Sequence, residues 1–355
     1  MEFNNILLSF LSLFTLLSFF IFIFVHKFSK RAETLLDQDF SKPQAFHKEA
    51  IPRSGGIAAI LSMTAFFFGY NFFFQIFLFD YFVASIFLFF LGFIDDIKIS
   101  VSPNKRLFFM VAILLFIISF FSLDLSSVDL VFLNNWLNNS IFNKIFILLC
   151  FLFIINGSNL IDGFNGLLTI HLIIINIVLL FIHVNTGNND YLLILSAQIM
   201  VLLIFLFFNF PKAQMFLGDG GSYLFGTLTV LNIIKTNNLN PSISSFFFCI
   251  LLFYLFFEVF FSFFRKIYYR KSPLKPDNNH LHMLVYKYLS SFKQIKDFNY
   301  LTSLTINIIY CLLIFPAFYL KNNGMFCKYW FFFLLIAYLV FYVRLYSFVK
   351  KKIDI

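Results

Sequence analysis

Charge is scarce in this chain: Asp, Glu, Lys and Arg make up 12% of its 355 residues, against 61% hydrophobic residues. The apolar residues come in repeated runs of about twenty, the length that crosses a bilayer. A soluble fold is thereby excluded, and an all-α polytopic membrane protein is expected. Cysteine is scarce as well. Cys150, Cys249 and Cys311 fall inside apolar runs, Cys327 stands alone in a connector, and no CxxC pair occurs. That excludes a disulfide framework and a thiolate metal site. The net charge of +9 is dispersed in short loops between the runs rather than gathered on one soluble face. Nucleic acid is therefore not an expected partner, whereas membrane orientation and anionic substrates account for the basic residues. What is plentiful is Phe, with 61 residues. It is expected at lipid-facing positions that Leu often fills, and no aromatic box is read from it.

The first run, 6 to 25, is not a signal peptide, because no Lys or Arg precedes it while Lys27, Lys30 and Arg31 follow. That order predicts a first span with its N-terminus outside. Further spans are predicted near 55 to 74, 76 to 94, 107 to 122, 141 to 157, 166 to 183, 191 to 209, 221 to 234, 243 to 264, 301 to 320 and 325 to 348, about eleven in all. Alternating them leaves 22 of the 26 Lys and Arg on one side, with only Lys144, Lys235, Lys321 and Lys328 elsewhere. Short cytoplasmic loops hold such an excess, so span count and orientation support each other. The outer connectors, such as 123 to 140, are bland. Each inner connector between spans carries a Gly-, Asp- or His-bearing stretch, so the chemistry is expected at the cytoplasmic face.

The second inner connector organises the rest. In LGFIDDIKISVSPNKRL, an apolar run ends at Ile94, Asp95 and Asp96 follow, and Arg106 opens the next run. A charge deep in hydrocarbon costs several kcal/mol on most scales, so such acids are either a solvated helix end or groups placed to touch a lipid headgroup and a soluble molecule together. Adjacent carboxylates there can accept protons or hold Mg²⁺, and a nearby Arg can hold a phosphate. The first inner connector ends in FHKEAIPRSGGIA, with Lys48 and Arg53 beside Gly55 and Gly56. Amides at that helix start suit an anion, unless the glycines serve only the start of the span.

The third connector, INGSNLIDGFNGL, repeats Asn156, Asn159, Asp162 and Asn165 at every third position. This is either a hydrogen-bonded seam between helices or a ligand stripe. In the fourth, MFLGDGGSYLFG, Asp219 lies in a Gly-rich turn before Ser222. That set suits Mg²⁺ bridging a carboxylate and a phosphate, or a turn that needs Gly. The fifth, SPLKPDNNHLHMLVYKY, sets His280 and His282 between Lys275 and Lys287. They are solvated loop histidines or donors to a pyrophosphate; no further His or Cys stands at zinc-ligand spacing.

Taken in this order on alternating connectors, HKEAIPRSGG, GFIDD with KRL, NGSNLIDGFNGL, FLGDGGS and PDNNHLHMLVY resemble the motifs of the polyprenyl-phosphate N-acetylhexosamine-1-phosphate transferases, the integral-membrane glycosyltransferase family 4. The likeness runs from 42 to 288 within a single transferase domain, 1 to 355, and is similar to the branch that starts lipid-linked polysaccharides. It implies transfer of a sugar 1-phosphate from a UDP-sugar, an N-acetylated hexosamine, to undecaprenyl or another polyprenyl phosphate, with release of UMP. The setting implied is the cytoplasmic face of a bacterial inner membrane, at the first membrane step of cell-surface polysaccharide synthesis.

Residue by residue, the resemblance implies Asp95 and Asp96 as catalytic residues beside the lipid phosphate, Asp95 as its base. Lys48 and Arg106 would hold phosphate, Asn159 and Asp219 would hold Mg²⁺ or Mn²⁺, and Phe216 would stack on uracil. Asp162 and Asn165 would bind substrate, and His280 and His282 would contact the donor's pyrophosphate or sugar. The implied partners are the UDP-sugar, the polyprenyl phosphate, membrane lipid and a second copy in a homodimer. Two departures stand out: Asn165 where many members carry an acid, and Met283 where many carry a third histidine. An amide still hydrogen-bonds a uracil edge, and the second leaves sugar choice open. The rival class is a transporter, which would need proton-relaying acids within the membrane and paired broken spans at its midplane. Here the acids cluster at one face.

Overall fold

Backbone polar groups cannot be left unpaired in hydrocarbon, so each apolar run closes its hydrogen bonds within itself as a helix. The computed structural model describes residues 2–31, 35–37, 50–99, 101–186, 189–273, 277–292 and 298–353. In them α1 (Glu2–Ser29) leads to a two-stranded antiparallel hairpin of β1 (Leu36–Asp37) and β2 (Ile51–Pro52). Next come α2 (Gly55–Phe74), α3 (Phe79–Asp96), α4 (Pro103–Phe120), α5 (Val131–Leu137), α6 (Ser140–Ile161), α7 (Leu167–Thr186) and α8 (Asn189–Asn209). The chain ends with α9 (Gly218–Leu239), α10 (Ser245–Leu251), α11 (Phe253–Tyr268), α12 (Leu281–Ser290), α13 (Asn299–Tyr319) and α14 (Gly324–Ile353). It is an all-α polytopic membrane protein.

Among the described residues α1, α2, α4, α6, α7, α8, α13 and α14 are long and apolar enough to cross a membrane, and α10 with α11 qualifies as one span bent by 74°. α3 and α9 do not qualify, since α3 carries Asp80, Asp95 and Asp96, and α9 carries Asp219, Lys235 and several Thr and Asn. Both nevertheless traverse the bundle. Asp80 pairs with Lys235 at one end, while Asp96 and Asp219 meet at the other. A helix enclosed by protein needs no lipid-compatible face, and α9 is buried along nearly its whole length among α2, α3, α6 and α7. Each span expected from the sequence therefore has its helix or, for 243 to 264, its helix pair. The bend at Leu252 contains neither Pro nor Gly. The Leu251 carbonyl at the bend accepts a hydrogen bond from Tyr310 Oη at 2.5 Å.

Contacts along the bundle also fix the two ends. Phe10 of α1 lies edge-on to Phe73 and Phe74 at the end of α2, whereas Ser54 Oγ, at the start of α2, donates to Ser29 Oγ at 2.9 Å. Tyr342 of α14 donates to the Asn279 carbonyl at 2.9 Å, beside α12. The two termini accordingly lie at opposite ends, and the connectors expected to carry chemistry gather at the end that holds Asp219. Phe is not confined to lipid-facing positions: Phe24 and Phe72 are exposed, but Phe66, Phe151 and Phe225 are core residues.

Candidate active site

The site is built around the start of α9. The turn before it needs φ +77° at Gly218, a conformation that favours glycine, and a Cβ there would also stand 2.6 Å from Asp96 Oδ1. Asp96 ends α3 at 3% exposure; its Oδ1 accepts from the Asp219 amide at 2.9 Å and its Oδ2 from the Gly220 amide at 2.8 Å. Asp162, just past the end of α6, is hydrogen-bonded by the Gly218 amide. These amides form the positive end of a helix dipole, so two carboxylates of the protein already occupy it. The close approach of α3 depends on Gly92, where a Cβ would meet the Asp219 carbonyl at 2.4 Å.

The start of α2 is likewise taken. Gly55 and Gly56 donate to the carbonyls of Phe216 and Leu217 at 2.8 Å each, so these amides hold the connector before Asp219 rather than an anion. The glycines serve backbone contact, not a phosphate cradle.

Two arginines reach the carboxylates, and an amide and a hydroxyl stand beside them. Arg106 of α4 pairs with Asp95 and stands 3.1 Å from Asp219 Oδ2. Arg53, held to Asp37 of β1 at 2.7 Å, lies 3.7 Å from Asp96 and 4.0 Å from Asp219 Oδ1. Asn159 Nδ2 is 3.4 Å from Asp219 Oδ2, and Ser222 Oγ is 3.5 Å from Asn159 Oδ1. Residues from the hairpin and from α3, α4, α6 and α9 thus share one cluster. Burial, reinforced by Asp219, pushes the Asp96 carboxyl up to about 7 against the opposing amides of Gly220 and Asp219 and the charge of Arg53. Burial, with Asp219 and Asp96 adding to it, also raises Asp162 well above the usual carboxylate range, although its edge keeps contact with solvent.

The oxygens at hand fit a hard cation. Among the described residues no three His, Cys, Asp or Glu side chains group as a metal site. Asp219, Asn159 and Ser222 offer a carboxylate, an amide and a hydroxyl, too few to enclose an ion. Mg²⁺ suits such a set, because it takes one or two carboxylates and leaves its other positions to water and phosphate.

The two histidines of the fifth connector are not solvated. His280 and His282 are 2% and 0% exposed, with rings stacked at 5.5 Å and 4°. His280 Nδ1 lies 3.0 Å from Glu258 Oε1, and His282 Nδ1 lies 3.2 Å from Tyr254 Oη. Phe164, two residues beyond Asp162, meets the His282 ring edge-on at 5.6 Å and so joins this connector to the third. Burial lowers His282 to about 3 despite the nearby Glu258 charge. Arg265 binds Asp277, the Asn279 carbonyl and Tyr342. Met283 is a core residue at 2% exposure, a position that suits an apolar side chain.

Of the other expected residues, Phe216 is half-buried and bonded through its backbone to Pro52 and Gly55. Asn165 donates its amide to the Pro211 carbonyl at 2.9 Å. Lys48 lies outside the described residues. The sequence reading missed Asp37, Glu258, Arg265, Tyr338 and Tyr342. Glu258 alone had a signal, being an acid inside an apolar run, where a charge needs a partner.

The profile of the family described as Glycosyl transferase family 4 matches residues 78–237, a stretch that includes Asp95, Asp96, Arg106, Asn159, Asp162 and Asp219. Over that stretch the chain is similar to glycosyl transferase family 4. The chain is 26% identical over 289 residues to the undecaprenyl-phosphate alpha-N-acetylglucosaminyl 1-phosphate transferase of Thermotoga maritima, covering 79% of the chain and 82% of that protein. It is 28% identical over 239 residues to the phospho-N-acetylmuramoyl-pentapeptide-transferase of Dictyoglomus turgidum, covering 62% and 74%. Against the enzyme of that name from Clostridium perfringens the identity is 34% over 145 residues, covering 39% and 46%. The matched stretch stops before the histidines and their supports on α11 and α14.

Proposed function

We propose that this chain transfers a sugar 1-phosphate from a UDP-sugar, an N-acetylated hexosamine, to polyprenyl phosphate, forming polyprenyl-diphospho-sugar and releasing UMP. The observation that carries the reading is the cluster of Asp95, Arg106, Asp219 and Asn159 at one end of a membrane bundle. Phosphoryl transfer between two anions needs charge neutralised and oxygens aligned more than it needs covalent help. An oxygen of the lipid phosphate attacks the phosphorus that carries the sugar, and the bond from that phosphorus to UMP breaks.

Asp95 is the base for the lipid phosphate, because Asp96 beside it is committed to the start of α9. Arg106, Arg53 and Lys48 hold phosphate oxygens. Asp219 and Asn159 would hold Mg²⁺ or Mn²⁺, which when bound neutralises pyrophosphate charge. Phe216, Asp162 and Asn165 face the uridine, and His280 and His282 the sugar and pyrophosphate. The cluster faces the cytoplasm of a bacterial inner membrane, as the Lys and Arg excess at that end favours.

The test is purified protein with UDP-N-acetylglucosamine or another UDP-N-acetylhexosamine, undecaprenyl phosphate and Mg²⁺. Mass spectrometry should find the lipid diphospho-sugar together with UMP, and added UMP should reverse the reaction because one phosphoanhydride-like bond replaces another. Release of UDP, or turnover that ignores the polyprenyl phosphate, overturns the reading.

A further inference from the structure

A carboxyl group within a membrane span is expensive to keep unless it has partners and work to do. Glu258, inside α11, is 0% exposed and accepts three hydrogen bonds. His280 Nδ1 at 3.0 Å and the Leu281 amide at 3.1 Å reach Oε1, and Tyr338 Oη at 2.5 Å reaches Oε2. A carboxylate oxygen that accepts leaves the proton on Nδ1, so the tautomer and the ring plane of His280 are both fixed. Nε2 is then the nitrogen left for a ligand. The Leu281 amide is part of the same hold, since His280 and Leu281 begin α12.

α14 supports this arrangement twice. Tyr338 holds Glu258, and one turn further Tyr342 donates to the Asn279 carbonyl at 2.9 Å, next to His280, while Arg265 bridges Tyr342 and Asp277. The His connector is therefore clamped between α11 and α14, both outside the matched stretch 78–237.

We propose that Glu258 is a positioning residue for His280, fixing Nδ1 so that Nε2 is presented to the donor, with Tyr338 of α14 completing the support. The inference rests on the reading of His280 as a donor contact given under Proposed function. It adds that donor recognition extends through the membrane-buried Glu258 to the last helix of the chain.

The test is a double-mutant cycle on the full chain in detergent, using Glu258→Gln, His280→Gln and the double variant. UMP release is measured with donor and acceptor varied separately, and folding is followed by thermal unfolding. Glu258→Gln keeps the side chain's size and one acceptor oxygen. It should lower kcat/KM for the donor by about 10- to 100-fold, as loss of a histidine's carboxylate partner does at other sites, and leave the acceptor KM unchanged. The double variant should be no worse than His280→Gln, because a residue that acts through another adds nothing once that residue is gone.

Wild-type activity in Glu258→Gln, or losses that multiply in the double variant, overturns the proposal. Should Glu258→Gln fail to fold, Tyr338→Phe, which deletes one hydroxyl, is combined with His280→Gln and judged by the same non-additivity. A wild-type chain that binds UDP-sugar but releases no UMP overturns the proposed reaction alone. The cycle is then read on UDP-sugar affinity, where additive losses overturn the role of Glu258. A chain with no UDP-sugar affinity overturns both.

Discussion

The Asp96 carboxylate bridges two consecutive amides at the start of α9, with Oδ1 2.9 Å from the Asp219 amide and Oδ2 2.8 Å from that of Gly220. Asp95, adjacent in the chain, turns instead to Arg106 and remains half-buried. Two residues that look alike in sequence therefore serve different ends. Asp96 fixes where Asp219 stands, and Asp95 pairs with Arg106 and is left for the role of base proposed above.

That division gives the first prediction. Asp96→Asn puts an NH₂ group against one of the two amides and should destabilise the protein by about 1–2 kcal/mol, the usual worth of a helix N-cap. Asp95→Asn should keep the wild-type melting temperature in detergent and lose UMP release. Equal melting temperatures for both variants would remove the capping role.

A second prediction concerns the cation. The Asp219 carboxylate stands 3.4 Å from Asn159 and carries two arginine contacts, so Asp219→Asn should raise the Mg²⁺ concentration needed for half-maximal activity by about tenfold or more, or abolish activity. Asp95→Asn should reduce turnover without moving the Mg²⁺ dependence of what remains. Chelation should stop the wild-type reaction. An unchanged Mg²⁺ titration for Asp219→Asn would take this residue out of the metal site.

The spans and the connector that matters most were legible because both rest on local patterns. Apolar runs mark spans, and acids flanked by Gly and Arg at their ends mark a site. Even α3 and α9, too polar for a lipid-facing span, were found from their apolar stretches. The supports were not legible, because they are tertiary. Nothing around Asp37 says that it will hold Arg53, and nothing in the charged stretch around His280 and His282 says that both rings will be buried. The glycines of the first connector were visible, but their service to the carbonyls of Phe216 and Leu217 depends on a helix far along the chain. Glu258 is the exception, since an acid in an apolar run demands a partner wherever the helix comes to lie.

Burial of His282 leads to a third prediction, on pH. Its folded value of about 3 lies below the unfolded value of about 6.5, so the unfolded chain gains a proton that the folded chain refuses. Its contribution to stability is present above about pH 6.5 and is lost as pH falls from there toward about 3. Between pH 7.5 and pH 5 the melting temperature of the wild type should fall relative to that of His282→Gln, since the raised carboxyls of Asp96 and Asp162 act alike in both proteins. Parallel changes in the two proteins would mean that His282 is not buried in its neutral form.

The last prediction is the sidedness of the whole bundle, and it follows from how the ends are tied together. Ser127 lies in the exposed connector whose carbonyl accepts from Asn237, at the end where Asp80 meets Lys235. Ser272 is exposed just beyond α11, at the end where Arg265 meets Asp277. Since every helix is tied to its neighbours at known ends, assigning one connector to a side assigns the rest. The Lys and Arg excess puts Ser272 inside and Ser127 outside. The four native cysteines are first replaced, because Cys249 and Cys311 are exposed on the bundle. In intact cells a membrane-impermeant maleimide should then label Ser127→Cys, and should label Ser272→Cys only after the membrane is opened. The reverse pattern would put Asp95, Arg106 and Asp219 on the outer face. A UDP-sugar held in the cytoplasm could not reach them there, so the reversal would remove the proposed donor as well as the orientation.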